Sequence, residues 1–234
     1  MQVDVWAVTH ASQAHDENED RAVVGHEVVA DAAKIEHHRL ATPVLLAALD
    51  GLGGHRAGHV ASHLAAKLLA AAEAPVDESA ATTLIGLADR TLHDAMQTDP
   101  EQAGMGATVA LVSVQDEQLV VANVGDTMAW RQADGDLEVL TVSDRLAGSQ
   151  ITQCLGATGE LAPHVRTVGA GVGDRVLLAS DGLTDVVDVS TIARTLAGPV
   201  DAVVRDLYAM VEAAEFPDDV TILLAEFTVR DSDR

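Results

Sequence analysis

The sequence has a single cysteine and few aromatic residues, with two tryptophans, one tyrosine and two phenylalanines among 234 residues. With Cys154 alone, no intramolecular disulfide can form, which fits a reducing compartment. No apolar run approaches the roughly 20 residues that span a bilayer. The N-terminus also lacks the basic start and the apolar segment of an export signal. We therefore expect a cytoplasmic protein without a membrane span.

Positive charge is scarce as well. The chain has 14 Lys and Arg residues against 37 Asp and Glu residues, and its formal net charge is -23 at pH 7. Such a chain repels the phosphates of DNA and RNA and attracts cations, so we expect no nucleic-acid partner. Ser/Pro-rich and low-complexity linkers are absent, and 48% of the residues are hydrophobic. We expect residues 1–234 to form a single domain.

The most informative stretch reads as a strand, a loop and a helix. Residues 44–49 form an unbroken apolar run, which is typical of a strand buried on both faces, and this run ends at Asp50. The glycine-rich residues 51–54 allow backbone to approach a ligand closely. A helix is predicted from Arg56. Its apolar positions are Val60, Leu64, Leu68 and Leu69, with Ala61, Ala65 and Ala66 as a thin packing face.

Two further apolar strands adjoin acidic turns. Residues 175–179 lead through a serine to Asp181, and Asp219 directly precedes residues 220–227. If the strand ends meet, Asp50, Asp181 and Asp219 form a cluster of oxygen ligands that would repel one another without a cation. Each of these residues taken alone could equally be an ordinary turn residue.

The remaining pattern predicts strands in hairpins with helices on either side, which indicates an α+β sandwich. Residues 31–41 are polar and receive no assignment. The predicted strands are 3–9, 22–30, 108–114, 118–124, 127–131, 137–141 and 163–168, those of 108–141 as an antiparallel meander. The other predicted helices are 79–97, with Leu84, Leu87, Ala88, Leu92, Ala95 and Met96 buried, 191–196, capped by Ser190, and 199–214.

Five motifs follow one another along the chain. They are D-G-x-G-G-H at residues 50–55, G-M-G-A-T at 104–108, V-A-N-V-G-D at 121–126, A-S-D-G-L-T-D at 179–185 and D-D-V-T-I at 218–222. In this order they resemble the motifs of the bacterial type 2C (PPM) metal-dependent protein serine/threonine phosphatases, over about residues 18–227. The resemblance implies a four-layer αββα sandwich, in which two antiparallel sheets are flanked by helices.

The same resemblance implies a metal centre and an activity. Asp50 would bridge two ions, the Gly51 carbonyl would bind one of them, and Asp181 and Asp219 would complete the other. Asp20, in an N-E-D turn, would support the centre from behind these ligands. Few carboxylates and many waters suit Mn²⁺ or Mg²⁺. The expected reaction is hydrolysis of phosphoserine and phosphothreonine monoesters in phosphoproteins by a water activated at two metals, with a serine/threonine kinase or its targets as possible partners.

The chain departs from this family at several positions. His15 stands five residues before Asp20, where an arginine usually grips the substrate phosphate, and an imidazole offers a weaker contact. Only residues 142–150 occupy the place of a flap subdomain. The chain has Ala103 where bacterial members of this family usually carry an aspartate that holds a third ion, so we expect a third site to be weak or absent. His55 is retained and could act as an acid or a positioning group.

Two alternatives remain open at this point. The departures are also compatible with a catalytically weak, phosphatase-like regulatory or binding domain. His55, His59 and His63 recur at helical spacing and could instead bind zinc along one helical face. Asp126, at the end of the third motif, is interpreted as a structural turn residue.

Overall fold

The computed structural model describes residues 1–13, 17–30, 33–52, 57–146 and 150–230, and it contains two six-stranded sheets. In pairing order, the first sheet consists of β4 (Glu36–Ala41), β1 (Gln2–His10), β12 (Val220–Thr228), β11 (Arg175–Ala179), β8 (Met128–Ala133) and β9 (Asp136–Val139). The second sheet consists of β10 (His164–Gly169), β7 (Gln118–Val124), β6 (Gly106–Val114), β5 (Val44–Leu52), β2 (Arg21–Val24) and β3 (Glu27–Val29). Neighbouring strands pair antiparallel in both sheets.

Helices cover the outer face of each sheet. The helices are α1 (Gly58–Ala71), α2 (Glu78–Thr98), α3 (Asp181–Thr184), α4 (Val189–Leu196) and α5 (Val200–Ala213), with a 3₁₀ turn at Pro100–Gln102. The first two pack on the second sheet, and the other three pack on the first sheet. The predicted αββα sandwich is therefore confirmed. No helix among the described residues is long and apolar enough to cross a membrane.

Strand β5 shows how the sandwich fills its core. Leu46 and Ala48 point into the apolar cluster between the two sheets, whereas Leu45, Ala47 and Leu49 point into the cluster beneath α1 and α2. The unbroken apolar run is thus explained, because each successive side chain meets a buried layer. The strand does not end at Asp50 as predicted. Backbone pairing with β6 continues to Leu52, since a ladder depends on backbone groups and not on side-chain polarity.

The predicted meander over residues 108–141 is wrong at one connection. Strands β6 and β7 pair with each other, but β8 belongs to the other sheet. The chain crosses between the sheets through Gly125, at φ +94°, and Asp126. A short glycine-containing link is compatible with either a hairpin or a crossing, so the sequence pattern did not distinguish the two.

Strand β4 was not predicted because its sequence is polar. It lies at the edge of the first sheet and pairs with β1. Arg39 Nε donates to the buried carboxylate of Asp4 at 2.8 Å, and His37 stacks on Trp6 with ring centroids 4.7 Å apart. Contacts to β1 therefore stabilise a strand without apolar alternation. These contacts also explain why β1 is buried more fully than its predicted half-buried pattern.

The predicted helices are present, but some of their faces are rotated. The inner face of α1 is formed by small residues and Leu69, whereas Val60, Leu64 and Leu68 are only partly buried. In α2, Leu87 is 41% exposed and Ile85 takes the buried position. The cap of α4 is Asp188 and not Ser190, because the Asp188 carboxylate accepts from Thr191 N at 3.0 Å.

Candidate metal centre

Acidic residues from both sheets come together at one end of the sandwich. Asp50 lies in β5 and Asp20 just before β2, which pairs with β5 so that the two residues share one end of the second sheet. Asp181 follows β11, and Asp218 precedes β12 at the matching end of the first sheet. The charges of Asp20, Asp181 and Asp218 all act on Asp50. The predicted meeting of these strand ends is therefore observed.

Two glycines permit this convergence. A β-carbon on Gly182 would lie 2.0 Å from the carbonyl oxygen of Asp219, so glycine lets the start of α3 pack directly on the start of β12. A β-carbon on Gly51 would lie 2.2 Å from the carbonyl oxygen of Gly58 and 2.8 Å from that of Glu19. Gly51 therefore brings the end of β5 against the first turn of α1 and the loop before β2.

Asp20 is fully buried in this arrangement. Its Oδ2 atom accepts a hydrogen bond from Ser180 Oγ at 2.7 Å, but its Oδ1 atom has no hydrogen-bond partner among the residues that the structure describes. Asn18 Oδ1 accepts from Asp20 N at 2.9 Å and fixes the turn. Burial raises the pKa of Asp20 well above its ordinary value, and the nearby carboxylates of Asp219 and Asp181 raise it further.

Asp50 and Asp181 have raised pKa values for the same reasons. Burial raises the pKa of Asp50 well above its ordinary value, with further contributions from Asp20, Asp181 and Asp218. Burial, followed by the charges of Asp126 and Asp218, raises the pKa of Asp181 to about 7. These carboxylates therefore lack enough positive charge around them, and a bound cation would favour their ionised forms.

The adjacent residues Asp218 and Asp219 differ in their surroundings. Asp219 is buried, and its Oδ1 and Oδ2 atoms accept from the backbone N–H groups of Ser12 and Glu19, both at 2.6 Å. Asp218 is exposed, and its charge raises the pKa of both Asp50 and Asp181. The sequence prediction chose Asp219 from a pair that a motif alone cannot separate. Strand pairing and loop packing are needed to tell their side chains apart.

Asp126 is more than a turn residue. Its side chain is 4% exposed, and within the part of the chain that the structure describes neither of its carboxylate oxygens has a hydrogen-bond partner. Arg145 Nη1 lies 3.6 Å from Asp126 Oδ2, and this cation partly offsets the burial that raises the pKa of Asp126. The sequence did contain a signal, since Asp126 comes just beyond an apolar run, as Asp50 and Asp181 do.

Of the four histidines singled out in the sequence, the structure describes His59 and His63. His15 and His55 lie outside the described residues. His59 Nε2 lies 3.1 Å from Glu17 Oε2, and His63 is exposed, with a pKa lowered mainly by partial desolvation. Among the described residues, no group of three or more His, Cys, Asp and Glu side chains is arranged to hold a metal ion by itself.

The carboxylates nevertheless fit Mg²⁺ or Mn²⁺. Both ions prefer oxygen ligands, and Mg²⁺ in particular keeps several waters, so it requires few protein groups at direct bonding distance. Two observations favour a cation with its waters at this place. The buried Asp20 Oδ1 has no hydrogen-bond partner in the described ranges, and Asp50 and Asp181 have raised pKa values. The residues present therefore fit the predicted ions.

The sequence from residue 25 to residue 224 matches the profile of the family described as Protein phosphatase 2C. This match covers most of the chain, and the chain therefore belongs to the protein phosphatase 2C family.

Relatives and solved structures agree with this family. The chain is 29% identical over 210 residues to the serine/threonine protein phosphatase PstP of Mycobacterium tuberculosis. The aligned region covers 78% of this chain and 40% of PstP. It is 26% identical over 220 residues to the protein phosphatase PhpP of Streptococcus pneumoniae, covering 82% and 88% of the two chains. The chain thus spans less than half the length of PstP but most of PhpP.

The fold matches the crystal structure of M. tuberculosis PstP/Ppp with a TM-score of 0.82 and 25% identity, over 98% of this chain and 100% of that one. A second structure, of the PstP catalytic domain in complex with two manganese ions, matches with a TM-score of 0.79 and 25% identity, over 98% and 100% of the two chains.

Proposed function

We propose that the chain is a metal-dependent protein phosphatase that hydrolyses phosphoserine and phosphothreonine monoesters in phosphoproteins, with Mn²⁺ or Mg²⁺ as cofactor. The main support is the convergence of Asp20, Asp50, Asp181 and Asp218 from both sheets, with raised pKa values at three of them. The serine/threonine protein phosphatase PstP and the protein phosphatase PhpP among the relatives agree with this activity, as do the two manganese ions in the structure of the PstP catalytic domain.

The protein groups divide the work as follows. Asp50, the Gly51 carbonyl and Asp181 would hold two ions, together with Asp219, the ligand chosen from the sequence, or its exposed neighbour Asp218. When bound, the ions supply a nucleophilic water near neutral pH and stabilise negative charge on the phosphoryl oxygens.

Three residues would support this arrangement. Asp20 orients the centre through its bond to Ser180. We also propose that His55 acts as an acid or positions the reacting groups, and that His15 contacts the phosphate.

The proposal extends to partners and compartment. We infer that residues 1–234 act as one domain, because both sheets share a single apolar cluster. The free Cys154 agrees with a reducing, cytoplasmic setting, where the substrates would be targets of a serine/threonine kinase in a signalling pathway. The relatives named above give no support to a regulatory domain without activity.

A metal-dependence assay tests the proposal. Hydrolysis of p-nitrophenyl phosphate and of one phosphopeptide is measured with added Mn²⁺ or Mg²⁺ and again with excess EDTA. We expect activity only with the ions, and its loss in Asp50→Asn, because a neutral amide replaces the carboxylate that would hold both ions. Asp94→Asn, on the exposed face of α2, is the matched control and should retain activity. Activity that persists in EDTA, or in Asp50→Asn with Mn²⁺, would overturn the proposed centre.

A further inference from the structure

Arg145 brings a positive charge into the acidic end of the sandwich. Its Nη1 and Nη2 atoms donate to the two oxygens of Asp185, both at 2.8 Å, as a bidentate fork. The Nη1 atom also lies 3.5 Å from Asp181 Oδ2 and 3.6 Å from Asp126 Oδ2. One guanidinium group therefore faces three carboxylates at once.

Asp126 shows why this cation matters. A buried carboxylate without hydrogen bonds is costly unless a positive charge lies close to it. Both Asp126 oxygens are buried and lack hydrogen-bond partners among the described residues, and Asp126 forms an ion pair with Arg145. The buried carboxylate of Asp126 thus requires a nearby positive charge, and the guanidinium group of Arg145 supplies it.

The short connection that carries Arg145 is firmly attached to the sheets. The Asp144 carboxylate accepts from Gly125 N at 2.8 Å and is bonded to His164 Nε2 at 2.8 Å. The Asp144 carbonyl accepts from Thr152 N at 2.8 Å, and Arg145 forms an isolated bridge with Ile151. This connection occupies the place where the resembled family has a flap subdomain, and the anchoring of its described residues directs Arg145 toward the acidic cluster.

We propose that Arg145 is a positioning residue whose guanidinium group supplies the positive charge for the carboxylates of Asp126, Asp181 and Asp185. It orients Asp181 toward the metal centre. It also excludes a further divalent ion from these three residues. A planar guanidinium suits this role because its fork binds one carboxylate in two places while its charge acts on the others. The catalytic consequence rests on the function proposed above, but the charge compensation does not.

The test compares four variants of the full chain. Arg145→Gln removes the charge, Arg145→Lys keeps the charge without the fork, and Arg145→Gln combined with Asp126→Asn removes one unpaired carboxylate as well. Arg166→Gln is the control, because Arg166 pairs with the half-exposed Glu138 on the sheet surface. Melting temperature is measured in EDTA, and Mn²⁺ stoichiometry is measured by titration calorimetry.

In EDTA we expect Arg145→Gln to melt about 5 °C below the unmodified protein, with the double variant and Arg145→Lys in between and the control unchanged. With Mn²⁺ we expect Arg145→Gln to bind one more ion than the unmodified protein does. This additional ion should bind more weakly than the other ions, and it should raise the melting temperature back to that of the unmodified protein. The double variant and Arg145→Lys should not gain this ion.

The proposal is overturned if Arg145→Gln melts like the control in EDTA and binds the same number of Mn²⁺ ions as the unmodified protein. A failure of the proposed function looks different, since the unmodified protein would then neither bind Mn²⁺ nor hydrolyse p-nitrophenyl phosphate. In that case the melting comparison in EDTA still decides whether Arg145 compensates the three carboxylates.

Discussion

Ser180 Oγ donates a 2.7 Å hydrogen bond to Asp20 Oδ2, joining residues that are 160 positions apart in the chain. The same Oγ atom accepts from Thr221 N at 2.9 Å. Both Ser180 and Asp20 are fully buried, so water does not reach this bond in the folded protein. The hydroxyl therefore holds the loop before β2 against the first sheet, beside the acidic centre.

The first prediction concerns this hydroxyl. Ser180→Ala should lower the free energy of unfolding by about 1–3 kcal/mol, because it leaves a buried carboxylate without its donor. Metal-dependent hydrolysis should persist at a reduced rate, since the proposed nucleophile is water. Thermal melts and p-nitrophenyl phosphate assays check both effects, with Ser79→Ala on the exposed start of α2 as control. Complete loss of activity in a variant of normal stability would instead give Ser180 a direct chemical role.

The second prediction separates Asp218 from Asp219. Asp219→Asn should mainly reduce stability, because the two backbone N–H groups of Ser12 and Glu19 lose a charged acceptor. Asp218→Asn should leave the melting temperature in EDTA nearly unchanged and reduce Mn²⁺ binding by one ion. Titration calorimetry and melting in EDTA measure the two effects. Loss of one ion in Asp219→Asn only, with normal Mn²⁺ binding in Asp218→Asn, would leave Asp219 as the ligand.

The third prediction is a pH dependence of the metal-free protein. The pKa of Asp181 is about 7 in the folded state, above its ordinary value of 3.8, so protonation stabilises the fold. This stability is present at low pH and is lost as the pH rises through about 7. Between pH 6 and pH 8, the free energy of unfolding in EDTA should fall by on the order of 1 kcal/mol from this residue.

Asp181→Asn is the control for that experiment, because it removes only the carboxyl group whose protonation is being tested. Melting of the unmodified protein should depend more steeply on pH than melting of the variant. Saturating Mn²⁺ should abolish this difference in pH dependence, since the ion binds the ionised carboxylates and releases their protons. Equal slopes for the two proteins in EDTA would refute the assignment of this titration to Asp181.

The fourth prediction addresses phosphate binding. His15→Arg should lower KM for p-nitrophenyl phosphate and for phosphopeptides, with little change in kcat, because an arginine forms a bidentate contact with a phosphate. The gain should not exceed about 1.5–3 kcal/mol. Steady-state kinetics measure it, with His93→Arg on α2 as the control. An unchanged KM in His15→Arg would mean that another surface binds the phosphate.

Much of the fold could be predicted because the strongest local patterns coincide with buried elements. Strands β5 and β12 are apolar runs that meet a buried layer on each face, and α2 has clear helical spacing with an Asp77 cap. Strand β4 and the crossing between β7 and β8 could not be predicted, because both depend on partners that are distant in the sequence. Polar residues form β4 only because β1 offers them Asp4 and Trp6.

In the candidate centre, too, local sequence patterns predict some of the residues, whereas others depend on contacts that are distant in the sequence. Asp50 and Asp181 could be found because each lies at or just beyond an apolar run, inside a motif. The distinction between Asp218 and Asp219 depends on which side chain the loop before β2 binds. The contacts of Arg145 depend on how a short connection folds over the sheet crossing, and no pattern in residues 142–150 indicates this.

The two sheets contribute opposite sides of the acidic centre, so the spacing across it is set by the apolar layer between them. Leu46 and Leu178 belong to that layer. Leu46 lies in β5 together with Asp50, and Leu178 lies in β11, the strand that precedes Asp181. Protein interiors are close-packed and resist compression, so the thickness of this layer works as a spacer for the carboxylates. A change of side-chain volume at Leu46 or Leu178 would therefore change the spacing of the carboxylates and with it their affinity for a cation, although every oxygen ligand is retained.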